Sequence, residues 1–218
     1  MPSIDLYDAI YRRRDVRAEF NGEPIPQETL HRVLSAAHAA PSVGHSQPWD
    51  FVLVQDGDSR RRFREHVTSE REIFNATLDH ERRQVFARIK VEGIMESSVG
   101  IVVTYDPDRG GPAVLGRHAI ADSGLYSTCL SIQNLWLAAT AEGLGLGWVS
   151  FYREDFLRDL LGIPERIRPI AWLCVGPVTA HQQTPDLERH GWRQRRPLDE
   201  AVHFDRYRET STRADGQQ

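Results

Sequence analysis

Lysine is all but missing from this chain. Lys90 is the single example, and every other Lys+Arg position is arginine, a bias that genome composition explains as readily as function. Cysteine is scarce too. Cys129 and Cys174 sit inside apolar runs with no metal spacing, so they read as small core residues of a reducing compartment. The nine histidines are scattered without a His-Glu-x-x-His pattern, and no Cys-x-x-Cys occurs; no metal site is expected. The absence of a Gly-x-Ser-x-Gly elbow leaves a serine hydrolase little support. No apolar stretch reaches the ~20 residues that cross a bilayer. Met1 to Asp5 lacks the basic start and apolar block of a secretory signal, so a cytoplasmic protein is expected. With Asp+Glu at 31 against Lys+Arg at 27, the net charge is −4. No global field calls for nucleic acid or a membrane surface.

What is present suits one domain. The 218 residues, 40% hydrophobic and 27% charged, are normal for a globular chain. Residues 1–204 are expected to form that domain, and 205–218 a polar, frayed tail. Ser3 can cap a first helix whose apolar side is Ile4, Tyr7, Ile10 and Tyr11 and which ends near Arg14. Pro26-Gln27-Glu28 opens a second helix, with Leu30, Val33, Leu34 and Ala37 as its stripe and Pro41 as its stop. Ser42 to Gln47 is a loop, and Phe51 to Val54 a short buried strand. Asp58 to about Ser97 reads as charged helix with a solvated face. Val99 to Tyr105 is a second buried strand. The glycine-rich Asp108 to Gly116 reads as a flexible cover, with Arg109 solvated. Leu125 to Ala141 is apolar almost all round, which places it inside the protein or inside a subunit interface. Leu146 to Tyr152 is strand-like, Glu154 to Leu161 a short helix stopped by Gly162, and Ile170 to Val175 a further strand. The order predicts an α+β architecture, a small mixed central sheet flanked by helices.

Two stretches carry the chemistry. Arg12, Arg13, Arg14 and Arg17 surround Asp15 where the first helix should end. Their donor forks match phosphate oxygens, and one acid among them is a positioned acceptor or stays ionised; dipole complementation at a helix end is the plainer account. Far away, Gly191-Trp192-Arg193-Gln194-Arg195-Arg196 sets more arginines beside an aromatic, which makes sense if both groups meet one anion. Trp148-Val149-Ser150 could put a hydroxyl in a cleft. Gly143-Leu144-Gly145-Leu146-Gly147 is not a dinucleotide fingerprint, because these glycines follow a helix and open a strand. Helix termination and close packing account for them.

Together these pieces resemble the nitroreductase-like flavoprotein superfamily, and within it a branch that consumes its flavin. The matching text is Arg13-Arg14-Asp15-Val16-Arg17, Ala40-Pro41-Ser42-Val43-Gly44 with Gln47-Pro48-Trp49, Leu125-Tyr126-Ser127, Gln133 to Ala139, Gly147-Trp148-Val149-Ser150 and Gly191 to Arg195. Asp15 is the discriminating letter, since generic members carry serine there. The resemblance implies a nitroreductase-like fold and a homodimer with FMN at the subunit interface. Arg13, Arg14, Asp15, Val16 and Arg17 would line the FMN, and Arg193 and Arg195 would hold its phosphate. Ser42 and Gln47 would reach it from the other subunit, with Leu115, Val149 and Ser150 completing the lining. Asp15 and Ser150 would be catalytic. The implied reaction takes reduced FMN, delivered by a separate flavin reductase, with O2 to 5,6-dimethylbenzimidazole and erythrose 4-phosphate. An NAD(P)H-dependent nitroreductase and a flavin-storage protein are the alternatives. His45-Ser46 and His118 to Gly124 depart from the better-known members, near the expected cover of the site.

Overall fold

The computed structural model describes residues 4–208. The elements run α1 (Leu6–Arg12), α2 (Gln27–His38), β1 (Trp49–Val54), α3 (Gly57–Thr77), α4 (His80–Phe86), β2 (Val99–Tyr105), α5 (Ser123–Ala141), β3 (Leu144–Val149), α6 (Glu154–Leu161), β4 (Arg168–Pro177) and α7 (Asp186–Arg189). The α+β expectation holds. The sheet has the order β1-β2-β4-β3, and its neighbours all pair antiparallel. Its mixed character is confined to one isolated parallel bridge, between Asp15 and Leu146.

Strand alternation builds two cores. On β2, Ile101 and Val103 face one side and Val102 the other; on β4, Leu173 and Val175 oppose Trp172 and Cys174. The first face packs against α2 and α5 through Val33, Ala37, Ile132 and Leu135. The second packs against α3 and α6 through Phe63, Val67 and Leu157, with Phe63 stacked on Trp172 at 3.9 Å. Helices on both faces explain why these strands read as unbroken apolar runs. Across the α2–α5 contact, Ser131 and Asn134 donate to the carbonyls of Ala37 and Ala36 at 3.0 and 3.1 Å.

Several boundaries differ from expectation. Ser3 lies outside the described residues; Asp5 caps α1 by accepting the Tyr7 N–H at 2.8 Å. The helix stops at Arg12, so Arg13 and Arg14 are already outside it. The stretch from Asp58 to Ser97 is not one helical region. Leu78 is extended, Asp79 starts α4 by capping Arg82 N–H at 2.8 Å, and helix ends at Phe86. Beyond it Ile89, Val91 and Ile94 are buried in irregular backbone. Arginines from α3 take up the carbonyls that a helix would have paired: Arg60 at Ile94 and Ser97, Arg71 at Phe86 and Ile89. β3 starts at Leu144 and ends at Val149, so Ser150, Phe151 and Tyr152 lie beyond it. Arg109 is not solvated but paired with Asp50 and Asp106 at 2.5 and 3.5 Å.

The glycines of β3 have the packing role expected of them. Gly143 has φ 76° at the end of α5. A Cβ on Gly147 would run into the Val16 carbonyl oxygen, and one on Gly145 into the Val178 side chain. The chain after α1 can lie flat on β3 only because both are bare. Gly147→Ala is therefore expected to lower stability by about 1–3 kcal/mol, read from the urea midpoint, with the Arg13–Arg17 segment displaced.

Candidate active site

The segment Arg13–Arg17 is extended and bonded to β3. Val16 donates its N–H to the Leu146 carbonyl at 2.9 Å and buries its side chain in the second core. Residue alternation then turns Asp15 and Arg17 to the other side. One Asp15 oxygen accepts the Trp148 backbone N–H at 3.0 Å, and the other pairs with Arg17 at 2.6 Å. Arg17 also reaches the carbonyls of Asp15 and Trp148, both at 3.4 Å. Burial raises the Asp15 carboxyl above its ordinary range and outweighs the opposing Arg17 charge, the Trp148 hydrogen bond and Arg13. The side chain keeps 37% exposure, so this is a crowded cleft open at one end. A fixed carboxyl with a raised pKa can hold or accept a proton nearer neutrality than a free one.

The arginines divide by task. Arg13 lies over the Trp136 ring at 4.6 Å, and the Trp136 indole N–H donates to the Arg14 carbonyl at 3.1 Å. Burial works against the Arg13 charge, as do the charges of Arg14 and Arg195, while Asp15 supports it. Arg195 is thus within electrostatic reach of Arg13. Arg14 is a clamp: its guanidinium donates to the carbonyls of Tyr11 and Arg13 at 2.8 Å, and to that of Gln183, while its buried Nε has no partner. Arg193 and Arg195 are exposed. They are delivered by Trp192, whose ring packs on Phe74 and Phe86 under the Arg82 guanidinium.

Beside Asp15 lies a cavity of about 120 Å³, walled by Arg14, Arg17, Arg88, Lys90, Arg189 and His190 among others. Sequence reasoning missed the last four. The sequence around Arg88 and Lys90 reads as solvated helix, but the two lie past the end of α4, and the one signal in the sequence is that Lys90 is the single lysine. That cavity also carries the carboxylates of Glu19 and Asp186, and Arg14, Arg17 and Arg189 are already engaged there. The Arg13 guanidinium, held over Trp136 with no ion pair among the described residues, is the donor that fits a mononucleotide phosphate.

The remaining candidates scatter in an informative way. Ser150 is exposed just past β3, two residues from the amide that holds Asp15, and lines a second cavity of about 410 Å³ with Leu125, Tyr126 and Trp148. Val149 is 1% exposed and packed in the core, so only its backbone can line a ligand. Ser42 accepts the Gln47 N–H at 3.0 Å, closing a loop in which His45 and Gln47 have φ of 52° and 46°. That loop is tied to α5 by the Val43 N–H on Ser127 at 3.0 Å and packs against Val114 and Leu115. Ser127 and Trp136 are nine residues, about 14 Å, apart along α5 and on opposite sides of it. Ser42 and Gln47 therefore do not join Asp15 within one chain. Leu115 is 86% exposed, and so are large parts of Leu6, Tyr7, Ile10 and Tyr11 on α1 and of Tyr126 and Leu130 on α5.

Comparison with known proteins gives the class: the chain belongs to the nitroreductase family, whose sequence model matches residues 10–177, and is an oxidoreductase. Over 194 residues it is 39% identical to the 5,6-dimethylbenzimidazole synthase of Rhodospirillum rubrum, covering 88% of this chain and 92% of that protein. It is 31% identical to the enzyme of the same name from Rhodobacter capsulatus, covering 89% and 93%. Among solved structures it is similar to oxidised iodotyrosine deiodinase bound to FMN and 3-iodo-L-tyrosine, with TM-score 0.72, 22% identity, and coverage of 93% and 100%. A BluB-like flavoprotein of Clostridium difficile gives TM-score 0.68 at 19% identity, with coverage of 94% and 100%. Among the described residues no helix is long and apolar enough to cross a membrane.

The Asp15 environment carries a pH signature. A raised carboxyl pKa means that ionisation costs folded-state stability above that pKa, and that the cost is absent where both states are protonated. Asp15→Asn is expected to raise Tm at pH 7, the gain shrinking as pH falls through the raised pKa and vanishing by about pH 3.5. Melting curves across that range check it.

Proposed function

We propose that this chain is a cytoplasmic, flavin-fragmenting oxidoreductase that converts reduced FMN, with O2, to 5,6-dimethylbenzimidazole and erythrose 4-phosphate. The observation that carries the reading is Asp15, a carboxyl pushed upward by burial and fixed by an amide and an arginine, at the centre of an arginine cluster. The 39% identity to the synthase of Rhodospirillum rubrum supports the choice of reaction. When bound, reduced FMN supplies the electrons for O2 and the carbon skeleton of the product. Arg13 and Arg195 hold its phosphate, with Arg193 beside them. Arg17 keeps the Asp15 carboxyl oriented, Asp15 holds and moves the proton, and Ser150 donates a hydrogen bond that orients the ring.

The site is completed by a second copy. The apolar side chains left open on α1 and α5 form a face that a homodimer would cover, and Ser42 and Gln47 belong to the half that would reach the other copy's flavin. Reduced flavin comes from a separate reductase, because a buried ring leaves no room for a nicotinamide. A second reading, an NAD(P)H-dependent reductase that keeps its flavin, has one supporting observation. The chain is 31% identical over 171 residues to a putative NADH dehydrogenase/NAD(P)H nitroreductase of Archaeoglobus fulgidus, covering 77% of this chain and 82% of that protein.

Mixing the protein with chemically reduced FMN in air and weighing the products separates the readings. Benzimidazole is expected; intact FMN together with rapid bleaching by NADPH would overturn the synthase. Asp15→Asn should bind FMN yet turn over ~10²–10⁴-fold more slowly. Arg13→Ala should weaken FMN binding by about tenfold to a hundredfold, measured by quenching of flavin fluorescence.

A further inference from the structure

His66 lies outside the flavin site, half-buried on α3. Its ring is stacked on that of Phe156 in α6, with centroids 3.9 Å apart and planes 5° from parallel. Its Nε2 lies 3.0 Å from the backbone nitrogen of Arg153. That nitrogen bears a hydrogen and can only donate, so Nε2 must be the acceptor, which a neutral imidazole provides and an imidazolium cannot. Arg153 stands at the N-cap position of α6 and has no capping side chain of its own. His66 therefore gives the N-cap N–H of α6 an acceptor from α3.

The consequence reaches the site through a short link. Between β3 and α6 the chain runs Ser150-Phe151-Tyr152-Arg153. Phe151 packs on Phe74 and Phe86, and Tyr152 against Phe63. Ser150 is thus suspended between the end of β3 and an anchor at Arg153. We propose that His66 is a positioning residue for Ser150, an acid-sensitive latch that holds the start of α6 only while its ring is neutral. This rests on the assignment of Ser150 to the flavin site made above.

The charged groups that face His66 are known on both elements. Glu70 on α3 and Asp155 on α6 favour its proton, Arg153 opposes it, and burial opposes it most, so its pKa lies below the ordinary histidine value. Glu70 is itself engaged by the Arg153 side chain at 2.9 Å, which leaves it less able to support an imidazolium. Protonation would remove the acceptor and set a cation against the positive end of α6. With the folded-state pKa depressed, the ring stays neutral and the latch closed down to that pKa, and its stabilising contribution is full above the unfolded value of about 6.5. Its contribution is lost as pH falls below that value towards the folded-state pKa.

The test compares wild type, His66→Gln and His66→Phe in the full chain between pH 7.5 and pH 4.5. Glutamine can accept the Arg153 N–H but does not titrate; phenylalanine keeps the stacked ring and removes the acceptor. The Tm of His66→Gln relative to wild type is expected to rise by about 2–4 °C from pH 7.5 to pH 5. FMN affinity in wild type should fall about threefold to tenfold more than in His66→Gln as pH is lowered through the folded-state pKa of His66, followed stepwise from pH 7.5 to pH 4.5, and His66→Phe should show the weakened binding throughout. Melting and FMN-binding profiles of wild type that superimpose on those of His66→Gln would overturn the latch. Ser150→Ala at pH 7.5 reports on Ser150 alone, so failure of that assignment is distinguishable from failure of the latch.

Discussion

The closest constraint in the molecule is the approach of the Val16 backbone to Gly147. A strand carrying any side chain at that point would hold the Arg13–Arg17 segment off the sheet. With the glycine in place, Val16 bonds to Leu146 and Asp15 reaches the Trp148 amide. Arg17 closes over the carboxylate, and the Arg14 carbonyl meets the Trp136 indole. The site is therefore a by-product of how one irregular segment docks on an edge strand, and its chemistry inherits the rigidity of the sheet.

That docking also explains the balance of charge around Asp15. A carboxylate in a crowded cleft is costly unless partnered, and its partners hold it in place without fully compensating burial, so the carboxyl pKa remains raised. A buried carboxyl of this kind costs stability when ionised, as functional positions commonly do. The arginines show the same economy. Arg14 spends its donors on backbone carbonyls and ties the first segment to the chain near Gln183. Arg13, by contrast, lies over Trp136 with its charge opposed by burial and by Arg14 and Arg195.

The proposed site draws on two separate parts of the chain. The loop from Ser42 to Gln47 is held by the N-terminal part of α5, whereas Asp15 sits by its C-terminal part. The exposed apolar residues of α1 and α5 form a face of the kind that marks an interaction surface.

Much of this was legible in the residues alone. The limits of α6, with Gly162 behind it, and of β2 follow from periodicity and punctuation, because both depend on neighbours in sequence. Asp15 stood out as the single acid among arginines, and the family resemblance placed it in a flavin site. Other features had no local trace. The break between α3 and α4, the irregular stretch after Phe86, the clamp made by Arg14 and the cavity wall of Arg88 and Lys90 all rest on side chains meeting carbonyls or cavities far along the chain. Arg60, for example, reaches Ile94, and His66 reaches Arg153. Residue order determined the elements, the fold class and the identity of the reactive groups, since propensity and alternation act over a few residues. Which arginine would be spent on structure, and which acid would be lifted in pKa, was decided only when distant segments packed, because burial and charge proximity are properties of that packing.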